Sequence, residues 1–330
     1  MVSLLCVLAS AGYNTVSVWY LRRHFPPPGK LYAVNGSPMH LYCAGNGSPT
    51  VVLESGLGSD WLNWQRVQPE LAKTTRVCSY DRAGLGWSNL QPGPRDAKNI
   101  AAQLHSLLQQ ANEVGPLVFV GASAGGFYAR EFIATYPTEV VGLVFVDAST
   151  PEQNEALPGA KDSEAKRTKR HREATWEWLK EASGWARLSG HCKGEVEKGL
   201  EEYAGFARAE DCRPSFATSW LGEWDDFERS GEEAAEARCC GDLPLLVISQ
   251  DPDRPKPGWS AQDIAANPIW ASLQERLKTL SPHSRRIIAR TSGHHVMIDR
   301  PDVIISGVRQ VVIGIRNKST DPEYATTIVQ

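Results

Sequence analysis

Leu117-Val-Phe-Val-Gly-Ala-Ser123-Ala-Gly-Gly-Phe-Tyr-Ala-Arg130 is the stretch from which the rest of the chain can be read. Residues 117–120 are a short apolar run with the character of a buried strand. Gly121-Ala-Ser123-Ala-Gly125 follows at once, and residues 127–133 have the character of a helix packed on that strand. A strand that bends sharply into a helix around G-x-S-x-G presents its serine at the tip of the bend. The bend brings neighbouring backbone so close that a β-carbon two residues to either side would clash, hence the glycines. The new helix aims its free N–H groups and positive dipole end at Ser123, where an oxyanion would form. On its own the motif also fits a glycine-rich structural turn. The strand before it and the helix after it favour a nucleophilic Ser123.

A chain of 330 residues accommodates one large α/β domain with an insertion, or two smaller domains. The net charge is -3 and basic residues are mixed with acidic ones, so nothing points to a nucleic-acid partner. The seven cysteines lack zinc spacing: Cys239 and Cys240 are adjacent and no C-x-x-C occurs, which argues against a metal site. Neither a metal nor an organic cofactor is expected.

Residues 1–29 form an N-terminal apolar segment. No charged side chain occurs before Arg22-Arg23-His24, and Pro26-Pro27-Pro28 follow. About 20 residues suffice to cross a bilayer as a helix. A cleaved signal would carry its positive charge before the apolar run, so an uncleaved anchor through residues 2–21 is the better expectation. Ser3, Ser10, Asn14, Thr15 and Ser17 weaken it, leaving a buried or interfacial helix of the soluble domain, or an atypical signal, as the alternatives. Arg22-Arg23 would favour a cytoplasmic domain, while the cysteines pull the other way. Localisation stays open between membrane-associated, soluble cytoplasmic and exported.

Residues 30–34 and 39–43 read as a hairpin joined by Asn35-Gly36-Ser37. Residues 50–54 are a continuous apolar strand ending in Ser55-Gly56-Leu57-Gly58-Ser59, and residues 75–80 are the next strand. The latter runs into Tyr80-Asp-Arg-Ala-Gly-Leu-Gly-Trp-Ser88. That stretch, followed by Val120-Gly-Ala-Ser-Ala-Gly-Gly126, resembles the α/β-hydrolase superfamily, and within it the esterase-like serine hydrolases with a helical lid. The resemblance covers roughly residues 30–316. It implies a mostly parallel, doubly wound central sheet flanked by helices, split into a core of residues 30–150 and 242–316 by a helical lid at 151–241. A polar tail follows at 317–330. It also implies oxyanion donors at the Leu57 and Ala124 amides, and a structural role for Asp81-Arg82 in pinning the loop beside Ser123.

The insertion is charged, with helical pattern over residues 164–185 and 193–207. Trp176, Trp178, Trp185, Trp220 and Trp224 fall in it; such rings either cover an apolar pocket or anchor the lid to the core. Cys43 and Cys78 sit on strands that are neighbours in this fold, and Cys192, Cys212, Cys239 and Cys240 cluster in the insertion. They fit disulfides in an oxidising compartment or ordinary buried thiols.

A serine hydroxyl needs a base within hydrogen-bond reach, and that base needs an orienting acid. The order Ser…Asp…His is the one expected of this superfamily. Strand 284–289 leads to Ser292-Gly293-His294-His295, and His294 is assigned as the base. Asp253, three residues past the strand end at Gln250, is assigned as the acid because that is the family's usual distance. Asp251 is its main rival, and Asp147, at the end of strand 140–146, is another alternative used by some relatives. Asp299 is read as support for the helix 303–315, and residues 259–280 as a further helix carrying Trp270.

The expected activity is hydrolysis of carboxylic esters, with a small-molecule ester as substrate. An amidase or aminopeptidase would use the same residues, and a small-molecule receptor with very slow turnover would keep them. Epoxide hydrolases and haloalkane dehalogenases of this fold are disfavoured, because they carry aspartate where this chain has Ser123.

Overall fold

The apolar runs of the sequence lie side by side in one sheet. The structure, a computed structural model, describes residues 2–254, 260–318 and 327–329. Its strands are β1 (Lys30–Val34), β2 (Ser37–Ala44), β3 (Thr50–Glu54), β4 (Val77–Tyr80), β5 (Leu117–Ala122), β6 (Val140–Val146), β7 (Leu245–Ser249), β8 (Ser284–Ala289) and β9 (Thr327–Val329). Among the described residues the sheet order is β1-β2-β4-β3-β5-β6-β7-β8-β9. The β1–β2 and β2–β4 pairs are antiparallel and all the others are parallel. At the first hairpin Asn35 and Gly36 take φ of 50° and 78°, as a two-residue turn of this kind requires.

The helices are α1 (Val2–His24), α2 (Gln68–Leu71), α3 (Ala97–Gln110), α4 (Gly125–Thr135), α5 (Gln153–Ala156), α6 (Glu164–Ala182), α7 (Trp185–Leu188), α8 (Ala204–Glu210), α9 (Pro214–Asp225), α10 (Phe227–Glu236), α11 (Ala261–Arg276), α12 (Val296–Asp299) and α13 (Pro301–Arg316). They let the central strands be apolar on both sides. Phe119, Leu143, Phe145 and Val247 pack with Leu104, Leu107 and Phe132 of α3 and α4. Val118, Val120, Val144 and Ile248 pack on the opposite face with Val303, Ile304 and Val308 of α13. The period of two survives, but both sets are buried, as in sheets covered on two faces.

Helices α5 to α10 lie between β6 and β7. The helix expected over 164–185 breaks at Gly184, whose φ of 77° separates α6 from α7. The one expected over 193–207 forms regular α-helix only from Ala204, because Gly194 and Gly199 take φ of 64° and 85°. Trp176 (62%), Trp178 (44%) and Trp185 (59%) are exposed and do not anchor these helices to the core, whereas Trp224 meets Phe227, which packs on the Phe127 cluster, and Trp220 lies against Gly58. Helix α1 packs against α6, α7 and α8. Helix α11 begins at Ala261; Trp259 and most of the tail 317–330 lie outside the described residues.

Three disulfides are present: Cys43–Cys78, Cys192–Cys212 and Cys239–Cys240. The first joins register partners on β2 and β4. Cys6 alone is free and exposed.

Candidate active site

Ser123 stands between the end of β5 and the start of α4 with φ of 51°, a conformation costly for a residue with a side chain. Its neighbours hold it there. The Ser123 amide donates to the Val146 carbonyl at 3.2 Å, and its carbonyl accepts from the Ser149 and Gly126 amides at 2.8 and 2.9 Å. A Cβ on Gly121 would lie 2.6 Å from the Gly125 carbonyl oxygen, and one on Gly125 would lie 2.7 Å from that of Glu54. Both glycines are therefore fixed by backbone contact.

His294, in the loop after β8, places Nε2 3.0 Å from Ser123 Oγ. Its Nδ1 lies 2.6 Å from Asp147 Oδ2. Asp147 is fully buried directly after β6 and has φ of 45°. Its other oxygen, Oδ1, accepts from Trp270 Nε1 at 2.9 Å and from the Gln250 amide at 3.0 Å. The Trp270 ring also meets the His294 ring edge-on, 5.9 Å between centroids.

The assignment of Asp253 is thereby corrected. Asp253 pairs with Arg290 at 2.6 Å and its side chain is 76% exposed. The same guanidinium lies 2.7 Å from Asp251, which also accepts from the Thr291 and Asp253 amides. Burial opposes the charge on Asp251, yet these donors hold its carboxyl below the usual range. Arg290 thus takes both carboxylates that follow β7, and His294 is served by the one that follows β6. Asp299 is also corrected: it accepts from the Gly293 amide at 2.6 Å and from Arg254 at 2.7 Å, bracing the residue before His294.

The loop after β3 runs against Ser123: a Cβ on Gly56 would lie 3.1 Å from Ser123 Cβ. Neither the Leu57 nor the Ala124 amide donates in the loop and turn backbone hydrogen bonds among the described residues. The loop is gripped from two sides. Arg82 donates to the carbonyls of Ser55 (2.9 Å) and Gly56 (2.7 Å) and to Glu54 Oε1 (2.8 Å). Glu223, from α9, accepts from the Gly58 amide at 2.7 Å and from Arg82 at 2.6 and 3.0 Å. Asp81 meanwhile accepts from the amides of Trp61 (2.9 Å) and Trp87 (2.8 Å). Trp61 and Trp64 are both core residues, and Trp64 Nε1 donates to Ser55 Oγ at 2.9 Å.

Trp270 and Glu223 were not foreseen as parts of the site. Both reach it from helices distant in sequence, and no local motif marks them. A cavity of about 480 Å³ lies between Ser59-Asp60 and α8, and neither Ser123 nor His294 lines it. Cys43, Cys78 and Glu113 cluster closely enough to suggest metal ligands, but the two sulfurs are bonded to each other.

The family model described as "Alpha/beta hydrolase family" matches residues 51–306. A protein of Gibberella zeae named "AB hydrolase superfamily protein" is 27% identical over 290 residues, 81% of this chain and 87% of that one. The 2-hydroxy-6-oxo-2,4-heptadienoate hydrolase of Pseudomonas putida is 32% identical over 123 residues, 36% of this chain and 44% of that one. Among solved structures, a thermophilic esterase from Thermogutta terrifontis superposes with a TM-score of 0.60 at 20% identity, over 88% of this chain and 99% of that one.

Proposed function

Because the chain belongs to the alpha/beta hydrolase family, we propose that it is a serine hydrolase that cleaves carboxylic esters through an acyl-enzyme. The observation that carries this is the unbroken hydrogen-bond path from Ser123 Oγ through His294 to Asp147. His294 Nε2 takes the hydroxyl proton as Ser123 Oγ attacks the ester carbon. Negative charge collects on the former carbonyl oxygen, where the Leu57 and Ala124 amides receive it. His294 passes its proton to the departing alkoxide, which leaves as the alcohol. Water then repeats the sequence on the acyl-serine and releases the acid. Asp147 keeps the imidazole in the tautomer that accepts at Nε2, and the Trp270 and Gln250 donors keep Asp147 aimed.

Esters are preferred over amides because an alkoxide leaves more readily than an amide nitrogen. They are preferred over the 2-hydroxy-6-oxo-2,4-heptadienoate named for the Pseudomonas relative because that likeness covers only 36% of this chain. The deciding measurement is turnover of p-nitrophenyl esters of increasing chain length. Ser123→Ala is expected to lower kcat on the order of 10⁴- to 10⁶-fold. Undiminished cleavage by that variant would remove Ser123 from the chemistry. Negligible wild-type turnover with tight ligand binding would instead make the protein a receptor.

A further inference from the structure

Helix α1 is built inside out. Ser10, Asn14 and Ser17, spaced four and three apart, share the face that is turned to the protein. Asn14 is 5% exposed and makes three contacts across that face. Its Nδ2 donates to the carbonyls of Glu181 (2.8 Å) and Cys212 (3.2 Å), and its Oδ1 accepts from Arg187 Nε at 2.8 Å. Gly184, whose missing side chain makes room, lies against the Ser10 backbone. The opposite face carries Leu5, Leu8, Val16 and Trp19, exposed by 63%, 60%, 62% and 57%. A surface helix facing water has the reverse arrangement.

The helices that α1 packs on also carry exposed apolar residues. On α6, Lys169, Arg172, Trp176 and Leu179 recur at spacings of three, four and three, and all are exposed. On α7, Trp185 and Leu188 are 59% and 58% exposed. Basic, aromatic and aliphatic residues alternating on one helix face suit the boundary between headgroups and acyl chains. The other end of α1 is basic as well, with Arg22, Arg23 and His24 in its last turn.

We infer that α1, α6 and α7 form one docking surface for an anionic lipid bilayer, with α1 lying in the interface rather than crossing it. Helix α1 is long and apolar enough to cross a bilayer, but the polar seam argues against a span. Asn14 precedes His24 by ten residues, about 15 Å of helix, or half of a hydrocarbon core about 30 Å thick. With His24 at one surface, Asn14 would sit at the midplane, and the Arg187 guanidinium and the ends of two charged helices would have to follow it there. The contacts of Asn14 and a transmembrane α1 are mutually exclusive. The surface is independent of the ester chemistry proposed for Ser123.

Flotation of the purified full chain with phosphatidylcholine vesicles, with and without phosphatidylserine, tests the surface. Co-flotation is expected, stronger with phosphatidylserine and weakened by salt. Leu8→Glu with Val16→Glu should reduce it on the order of tenfold or more, with cooperative melting of the domain retained. Lys169→Glu with Arg172→Glu should abolish the preference for phosphatidylserine. Absence of flotation, or flotation indifferent to both pairs, overturns the inference. Protease protection in sealed cell membranes, with epitopes at Met1 and Gln330, tests the geometry. Both epitopes should fall on the same side. Epitopes on opposite sides would show a span, and loss of the Met1 epitope from the mature chain would show a cleaved signal; either overturns it.

Discussion

Asp147 offers its two oxygens to different tasks, one to His294 and the other to Trp270 and the Gln250 amide. A buried carboxylate with three hydrogen-bond partners is fixed in direction. Asp147→Asn should therefore lower kcat for ester hydrolysis by about 10⁴-fold, as expected when an imidazole loses its orienting anion. Asp253→Asn should change it by less than about threefold, since that side chain is 76% exposed and pairs with Arg290 rather than His294. Equal losses in the two variants would refute the assignment. Trp270→Phe, which removes one hydrogen bond to a charged group, should cost roughly 10-fold in kcat with KM little changed. The approach of His294 to Ser123 was legible because a motif and a chain order announce it. The carboxylate that meets His294 was legible only as one alternative among three. Three aspartates end the right strands, and what separates them is Arg290, whose preference for Asp251 and Asp253 cannot be seen before the loops are folded.

Among the elements, α9 does the least obvious work. Its Glu223 bonds to the Gly58 amide beside Leu57 and to Arg82, which itself holds the Gly56 carbonyl. Glu223→Gln would turn an N–H donor toward one of these donors and leave Arg82 short of a buried counter-charge. A loss of about 3–5 kcal/mol in stability is expected from calorimetry, with kcat falling more than KM changes. A variant that melts normally and turns over normally would detach α9 from the loop's geometry. The core elements were readable because a buried parallel strand is a long apolar run bounded by turns. The insertion was readable only as helical. Its breaks at Gly184, Gly194 and Gly199 depend on left-handed glycine conformations that periodicity does not reveal.

For the molecule as a whole, buried acids set a dependence of stability on pH. Burial, reinforced by Glu177 and Asp211, raises Glu181 to about 8. Burial and neighbouring carboxylates also push up Asp60 and Glu210, which share a hydrogen bond between the β3–β4 segment and α8. A carboxyl whose folded pKa is raised binds its proton more tightly folded than unfolded, so its stabilisation is complete at acid pH and is lost as pH rises through the folded value. Melting temperature should accordingly fall as pH rises from the ordinary carboxyl value of 4.5 to about 8 and level off above it, and Glu181→Gln should flatten that fall. An unchanged slope would mean that Glu181 titrates normally. Disulfides act on the same scale. Cys192–Cys212 closes a loop across a sequence separation of 20, and its replacement by serines should cost about 3 kcal/mol by the chain-entropy model; a smaller loss would mean that the ordered insertion holds itself together. Pairing six of the seven cysteines leaves one thiol, at Cys6 on α1. A maleimide dye or nitroxide would therefore settle at a single address without any engineering, and its colour or line width would report the surroundings of that helix in the native protein.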